Sequence, residues 1–167
     1  MEEKIYNMFI AFSKIHIQSD KLIKWFNTKN NMRVIGLCGH GSCGKSATLN
    51  MLKELLRATG RSISSTPHPC CEAPETFEYK ELIVCVAPGG DTREIVESNC
   101  RYFKEKNCDV AISATRSKWG PNDALRDFAS NENAAIEWIQ KSYEYNLCEA
   151  TQTLCNQETA SLILSKI

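Results

Sequence analysis

The residues best suited to chemistry form the segment Gly39-His40-Gly41-Ser42-Cys43-Gly44-Lys45-Ser46, which Ala47 follows. Glycines at this spacing let the backbone curl so that successive N–H groups point toward one anion. Lys45 could then reach the outer phosphates of a nucleotide, and the Ser46 hydroxyl could hold Mg²⁺. The segment would also open a helix, whose N-terminus favours negative charge. The spacing therefore predicts a binding site for ATP or another nucleoside triphosphate, with Mg²⁺ as the cation.

The sequence predicts a strand before this segment and a helix after it, and these two elements would position it. Residues 34–38 are a short apolar run with a β-branched start, which is typical of a buried parallel strand. Leucines recur at helical spacing after the segment, and Gly60 is a plausible helix stop. The order is therefore strand, glycine-rich loop and helix.

This arrangement resembles the P-loop NTPase superfamily. The resemblance implies a three-layer α/β sandwich with a mostly parallel central sheet that binds Mg-nucleoside triphosphate. A narrower resemblance, to small bacterial P-loop proteins of unassigned function, covers residues 34 to about 120. It rests on the loop, on the Gly-Gly-Asp that follows a strand and on residues 108–116. It implies that the two later motifs belong to the site, but it does not indicate which reaction the protein catalyses.

A second part of the site is predicted after the apolar strand 82–87, which continues into Pro88, Gly89, Gly90 and Asp91. The two glycines would let the backbone approach the γ-phosphate. Asp91 would organise Mg²⁺ together with Ser46 and act in catalysis. The alternative is a capping box in which Asp91 and Glu94 satisfy the N–H groups at the start of the next helix. The sequence leaves both interpretations open.

Arg116 is expected in a loop, residues 115–120, that follows a buried strand at 109–114. Arg116 or Lys118 could contact phosphate, and Trp119 could stack on the base. The alternative is a solvent-exposed loop with ordinary charges. The loop lacks the N-K-x-D motif with which guanine-binding switch proteins read their base, so adenine nucleotides are favoured. Lys45, Asp91 and Arg116 are the predicted catalytic residues.

The composition of the chain argues against two kinds of partner, nucleic acid and membranes. The chain has 167 residues, 43% of them hydrophobic, with 20 basic and 20 acidic side chains. No stripe of Lys and Arg is present, which argues against binding to nucleic acid. The acidic start of the chain is unlike a signal peptide, and no apolar run reaches membrane-spanning length. We therefore expect a cytoplasmic protein without membrane contact.

Nine cysteines are present, with no C-x-x-C spacing. An odd number in a cytoplasmic chain predicts free thiols rather than disulfides. Cys38 and Cys85 fall within strand patterns and are expected to pack as small apolar side chains. Cys43 lies within the loop, where positive dipoles favour a thiolate. His68, Cys70 and Cys71 lack a second ligand pair, which disfavours zinc.

The remaining pattern divides the chain into an N-terminal helical extension, 1–30, and one nucleotide-binding domain, 31–167. The extension would pack on the sheet or form a homodimer or partner surface. Helices are expected from 91 to 103, at 121–128 and at 158–167, with a further strand at 134–139. Residues 61–80 read as a loop with short strands near 62–65 and 76–79. Strands alternating with helices predict parallel pairing.

Three functions remain, in order of preference. The first is an NTP hydrolase or nucleotide-dependent switch, because a Gly-Gly-Asp loop could sense the γ-phosphate. The second is a small-molecule or nucleotide kinase, whose acceptor would dock near residues 61–80. The third is a non-catalytic nucleotide-binding interaction module, which follows if Asp91 is only a helix cap.

Overall fold

The computed structural model describes residues 32–63, 72–117, 120–142 and 148–167, all within one compact unit, Met32–Ile167. The predicted N-terminal extension, Lys118 and Trp119 lie outside the described residues, as does the disfavoured zinc cluster. The described elements, in chain order, are β1 (Arg33–Gly39), α1 (Lys45–Thr59), β2 (Arg61–Ser62), β3 (Glu75–Tyr79), β4 (Leu82–Ala87), α2 (Arg93–Lys106), β5 (Val110–Arg116), α3 (Gly120–Asn131), β6 (Ala135–Gln140) and α4 (Glu149–Ser165).

The six described strands form one sheet in the order β2-β3-β4-β5-β1-β6. Strands β4, β5, β1 and β6 run parallel, whereas β3 pairs antiparallel with both β4 and β2. The predicted α/β class is therefore confirmed, with a mixed sheet. Because β5 lies between β1 and β4, the loops that follow these three strands emerge side by side at one edge of the sheet.

Helices pack on both faces of the sheet. One core joins α1 and α4 to the sheet through Leu49, Leu52, Leu56, Ala160 and Ile163. The other joins α2 and α3 to the opposite face through Val96, Phe103, Leu125 and Phe128. The inner strands read as continuous apolar runs because both of their faces are buried. Helices α1, α2 and α3 each bury one apolar stripe against the sheet.

Two element boundaries differ from those expected in ways that matter for the site. Thr115 and Arg116 belong to β5 rather than to the following loop, because pairing with β1 continues as far as Gly39 opposite Arg116. The last helix begins at Glu149, nine residues before the expected start at Glu158. Its first half carries few apolar residues, so no helical period marks it in the sequence.

The prediction that the cysteines are free thiols is wrong for one pair. Cys85 of β4 is disulfide-bonded to Cys108, which precedes β5. Both cysteines are buried, with 0% and 4% of their surface exposed. The two cysteines are 23 positions apart in the chain, and the segment between them includes all of α2, which returns the chain to the sheet beside β4. Cys38, Cys43, Cys100, Cys148 and Cys155 are free.

Among the described helices, none has both the length and the hydropathy that crossing a bilayer requires.

Candidate functional site

The loop between β1 and α1 curls by means of two left-handed residues. Ser42 has a φ of 60° and Gly44 a φ of 86°. At Gly44 a side chain is excluded for a second reason, because a Cβ there would lie 2.6 Å from Oδ1 of Asn156 in α4. Gly44 is the N-cap of α1, and its carbonyl accepts the first helical hydrogen bond from the N–H of Thr48 at 2.8 Å. The backbone thus turns sharply into the helix.

The N-terminus of α1 has no side-chain cap and no acidic residue in its first turn. The first N–H groups of a helix have no partner within the helix, so a side chain, water or a ligand must satisfy them. In α2, by contrast, the Thr92 side chain accepts a hydrogen bond from the Ile95 N–H. The α1 N-terminus therefore lacks a side-chain cap, and a helix terminus of this kind favours an anion.

The Lys45 ammonium lies within the loop itself. Lys45 as a residue is 6% exposed, and its ammonium donates hydrogen bonds to the carbonyls of His40 at 2.6 Å and Gly39 at 3.2 Å. The Cys43 sulfur is 3.8 Å away. The positive charge is thus held among backbone carbonyls, next to the open N-terminus of α1.

Ser46 joins the loop to the segment that follows β4. Its hydroxyl donates a hydrogen bond to the Pro88 carbonyl at 3.1 Å. Since the hydroxyl donates here, both of its lone pairs remain available to a cation. Gly90 is pressed against β5, because a Cβ at that position would lie 1.9 Å from the Ala114 carbonyl oxygen. Only glycine fits there.

The buried side-chain amide of Asn99 fixes the Pro88–Gly90 segment in place. Asn99 of α2 donates hydrogen bonds to the Gly89 carbonyl at 2.8 Å and to the Ser113 hydroxyl at 3.3 Å. Both polar side chains are buried, at 4% and 0% exposed. A buried amide left without partners would cost about 1–3 kcal/mol, so this geometry is strongly specified. These hydrogen bonds attach the segment to α2 and β5 where it meets the loop.

Asp91 is not the cap of α2. Thr92 takes that position. The pKa of the nearby Glu94 carboxyl is lowered mainly by a hydrogen bond with its own backbone N–H and then by one with the Thr92 side chain. The capping-box interpretation of Asp91 is therefore wrong. Its Oδ1 instead accepts a hydrogen bond from Nε of Arg116 at 3.0 Å. The Arg116 guanidinium also lies near the loop, 3.7 Å from where a Cβ on Gly41 would be.

A cavity of about 440 Å³ opens above the α1 N-terminus. Seven of the residues expected to bind ligand line it: Ser42, Gly44, Lys45, Ser46, Ala47, Gly90 and Asp91. The other six do not. His40 and Gly41 are exposed at the loop, Gly39, Cys43 and Gly89 are buried beside it, and Arg116 reaches the site through Asp91.

The structure adds lining residues that the sequence did not indicate: Glu72, Pro88, Ala114, Glu149, Gln152, Thr153 and Asn156. Four of them come from the first half of α4, where no apolar period predicts a helix. Asn156 is 5% exposed and accepts a hydrogen bond from the Thr48 hydroxyl at 3.1 Å. Its carboxamide thereby fixes α4 against the start of α1.

A second buried ammonium lies behind the loop. Lys141 follows β6, and its N–H donates to the Cys38 carbonyl at 2.7 Å. Its ammonium donates to the Cys155 carbonyl and the Thr159 hydroxyl of α4, at 2.9 and 3.1 Å. Burial lowers the pKa of Lys141. This lysine binds α4 to the end of β6, and its carbonyl would lie 2.8 Å from a Cβ on Gly39.

The donor atoms at the cavity fit a magnesium-bound phosphate. Mg²⁺ prefers oxygen ligands, keeps several waters and needs only one or two protein groups when phosphate is present. The Ser46 hydroxyl and the Asp91 carboxylate both line the cavity. Within the described part of the chain no group of three or more His, Cys, Asp and Glu side chains could hold a metal by itself. A site of this kind would depend on the ligand's own oxygens.

Comparisons of the chain with protein-family models, with curated proteins and with solved structures found no match.

Proposed function

We propose that this protein binds a Mg-nucleoside triphosphate, with ATP preferred, and acts as an NTP hydrolase or nucleotide-dependent switch of the P-loop NTPase type. The observation that carries the proposal is the uncapped N-terminus of α1, which opens into the cavity behind a left-handed Gly44 with the Lys45 ammonium beside it. Backbone N–H groups, a helix terminus and a lysine together favour a multiply charged anion.

The side chains have distinct roles in this proposal. The loop N–H groups and Lys45 bind the phosphates, and Lys45 exchanges its present carbonyl partners for phosphate oxygens. Ser46 and Asp91 would hold the metal, which would supply positive charge next to the phosphoryl group that is transferred. Arg116 acts on the same phosphoryl group after leaving Asp91.

The segment after β4 supports a response to the γ-phosphate. Pro88 contacts Ser46, Gly90 contacts β5, and Asp91 contacts Arg116. A ligand that engages Ser46 or Arg116 therefore acts directly on one short segment that leads into α2. Switch proteins use such a segment to report the presence of the γ-phosphate.

A kinase is the second candidate, and one observation favours it. The cavity extends to Glu72, whose carboxylate could accept a proton from an acceptor hydroxyl. The neighbouring backbone is held in place, since the buried Lys53 donates to the Ala73 carbonyl at 3.2 Å and pairs with Glu75 at 3.3 Å. A non-catalytic binding module is the third candidate; the helix-cap role for Asp91 that would favour it is not found, because Thr92 caps α2.

Incubation with Mg-ATP, with and without a metabolite mixture, separates these functions. Free phosphate without any acceptor supports the hydrolase, and a phosphorylated metabolite supports the kinase. If the Lys45→Ala variant, prepared identically, gives no product, the product of the wild type does not come from a contaminating enzyme. Tight ATP binding with no product in either mixture would leave the binding module. No ATP binding would overturn the proposal.

A further inference from the structure

The cavity has two walls on opposite sides of the α1 N-terminus. Successive residues of an α-helix are about 100° apart around its axis, so Ser46 and Thr48 lie roughly opposite each other. Ser46 contacts Pro88 after β4, whereas Thr48 contacts Asn156 of α4. One wall therefore carries Asp91 and Glu72, and the other is the first half of α4.

The α4 wall consists of Glu149, Gln152 and Thr153, which line the cavity above Asn156. Spacings of three and four residues place all of these side chains on one helical face. The Glu149, Gln152 and Thr153 side chains are exposed and make no hydrogen bond to any residue that the structure describes. Asn156 and Lys141 hold the helix beneath them through buried hydrogen bonds. The wall is thus a fixed helix face with available polar groups.

The chemistry of this face differs from that of the phosphate cradle. Gln152 offers both donors and an acceptor, Thr153 offers a hydroxyl, and the Glu149 carboxylate accepts only. A carboxylate repels phosphate but accepts hydrogen bonds from ribose hydroxyls and from the amino group of a base. An amide can pair with the edge of a base, which both donates and accepts.

We propose that the α4 wall, formed by Glu149, Gln152 and Thr153, is a nucleoside subsite that binds the sugar and base of the nucleotide. This inference rests on the proposed nucleotide binding and adds the residues that read the nucleoside. It assigns the two walls different tasks, with phosphoryl chemistry on the Asp91 side and recognition on the α4 side.

The test compares Mg-ATP with Mg-tripolyphosphate, which has the phosphates and no nucleoside. Calorimetry is done on the wild type, on Gln152→Ala and on Gln157→Ala, a matched control at an exposed α4 position outside the cavity lining. We expect Gln152→Ala to weaken ATP about tenfold, equal to about 1.4 kcal/mol. Its tripolyphosphate affinity and melting temperature should stay at the wild-type values, and Gln157→Ala should change neither ligand.

The outcomes separate this inference from the proposed function. If Gln152→Ala weakens both ligands equally, or leaves ATP binding unchanged, the nucleoside subsite is overturned while nucleotide binding stands. If the wild type binds tripolyphosphate and ATP with equal affinity, no nucleoside subsite exists on either wall. If the wild type binds neither ligand, both proposals fail together.

Discussion

Arg116 and Asp91 lie 25 residues apart in the chain and form an ion pair with 3.0 Å between Nε and Oδ1. The pair joins the end of β5 to the segment after β4, at the edge of the sheet where the loop after β1 also lies. Both side chains are about half exposed, at 50% and 59%. Pairs this exposed contribute about 0.2–1 kcal/mol to stability, so stability alone gives little reason for its position.

Replacing Asp91 by Asn tests its catalytic role. Asn keeps the size of the side chain and removes the charge that would hold the metal and pair with Arg116. We expect the melting temperature and most of the ATP affinity to be retained while turnover falls by about 10²-fold, as for other preorganised electrostatic groups. The measurement is phosphate release under saturating Mg-ATP.

Asp127→Asn is the matched control, because Asp127 also forms an exposed pair with an arginine, Arg93, at 3.4 Å. It does not line the cavity. Its turnover should equal that of the wild type. Wild-type turnover by Asp91→Asn would show that the catalytic acid lies elsewhere.

Lys45→Ala should abolish stabilisation by nucleotide. At a ligand concentration of about 100 times Kd, binding adds about 2.7 kcal/mol to the free energy of unfolding, which a melting curve readily detects. The variant should fold without ligand and show no shift with Mg-ATP. Lys106→Ala, which removes an exposed lysine paired with Glu105, should keep the full shift. An undiminished shift in Lys45→Ala would contradict the phosphate site.

The Cys85–Cys108 disulfide should contribute substantially to stability. For the loop of this length that it closes, chain entropy gives about 3 kcal/mol. Urea unfolding of the Cys85→Ala/Cys108→Ala variant should show a loss of this size. Reductant should destabilise the wild type by a similar amount and leave the double variant unchanged. A peptide map under non-reducing conditions that shows both thiols free would refute the bond.

Cys148 should be the most reactive of the free thiols that the structure describes. It is exposed at the N-cap of α4, and its pKa is lowered mainly by the hydrogen bond with the Thr151 side chain, at 3.1 Å. Because the thiolate is the nucleophile, alkylation should begin at lower pH than for an ordinary cysteine. Thr151→Val should move the rate profile of Cys148 to higher pH.

The matched control is Thr153→Val, which makes the same change on the same helix without contacting Cys148. It should leave the pH dependence of Cys148 alkylation unchanged. Peptide mass spectrometry across pH 7–9.5, a range chosen around the ordinary thiol pKa of about 8.5, gives the rates. Cys43, only 4% exposed, should be alkylated much more slowly, and Mg-ATP should slow it further. Equal profiles for the two threonine variants would show that the hydrogen bond has no effect.

Adenine nucleotides should bind at least as well as guanine nucleotides. The prediction rests on Thr115-Arg116-Ser117-Lys118, which stands where guanine-binding proteins carry N-K-x-D. Calorimetry with ATP and GTP in the presence of Mg²⁺ gives the two affinities. Tight GTP binding without ATP binding would contradict the prediction and indicate a different guanine reader.

The local parts of this protein follow from its sequence. Gly39 to Ser46, the strand before and the helix after are determined by glycine spacing and apolar periodicity, which act over a few residues. The strand at 82–87 has the bounds that its apolar run predicts. The order of strand, glycine-rich loop and helix could therefore be predicted from the sequence alone.

The pairings between distant segments were decided by the tertiary structure. Whether Asp91 caps a helix or meets Arg116 depends on β5 lying between β1 and β4, and the bond between Cys85 and Cys108 depends on where α2 returns the chain. The first half of α4 left no signal because its residues face the cavity and solvent. Apolar periodicity in the sequence arises from burial of one helix face against the core. A helix face that lines a site lacks this pattern, so it is identified only from the tertiary structure.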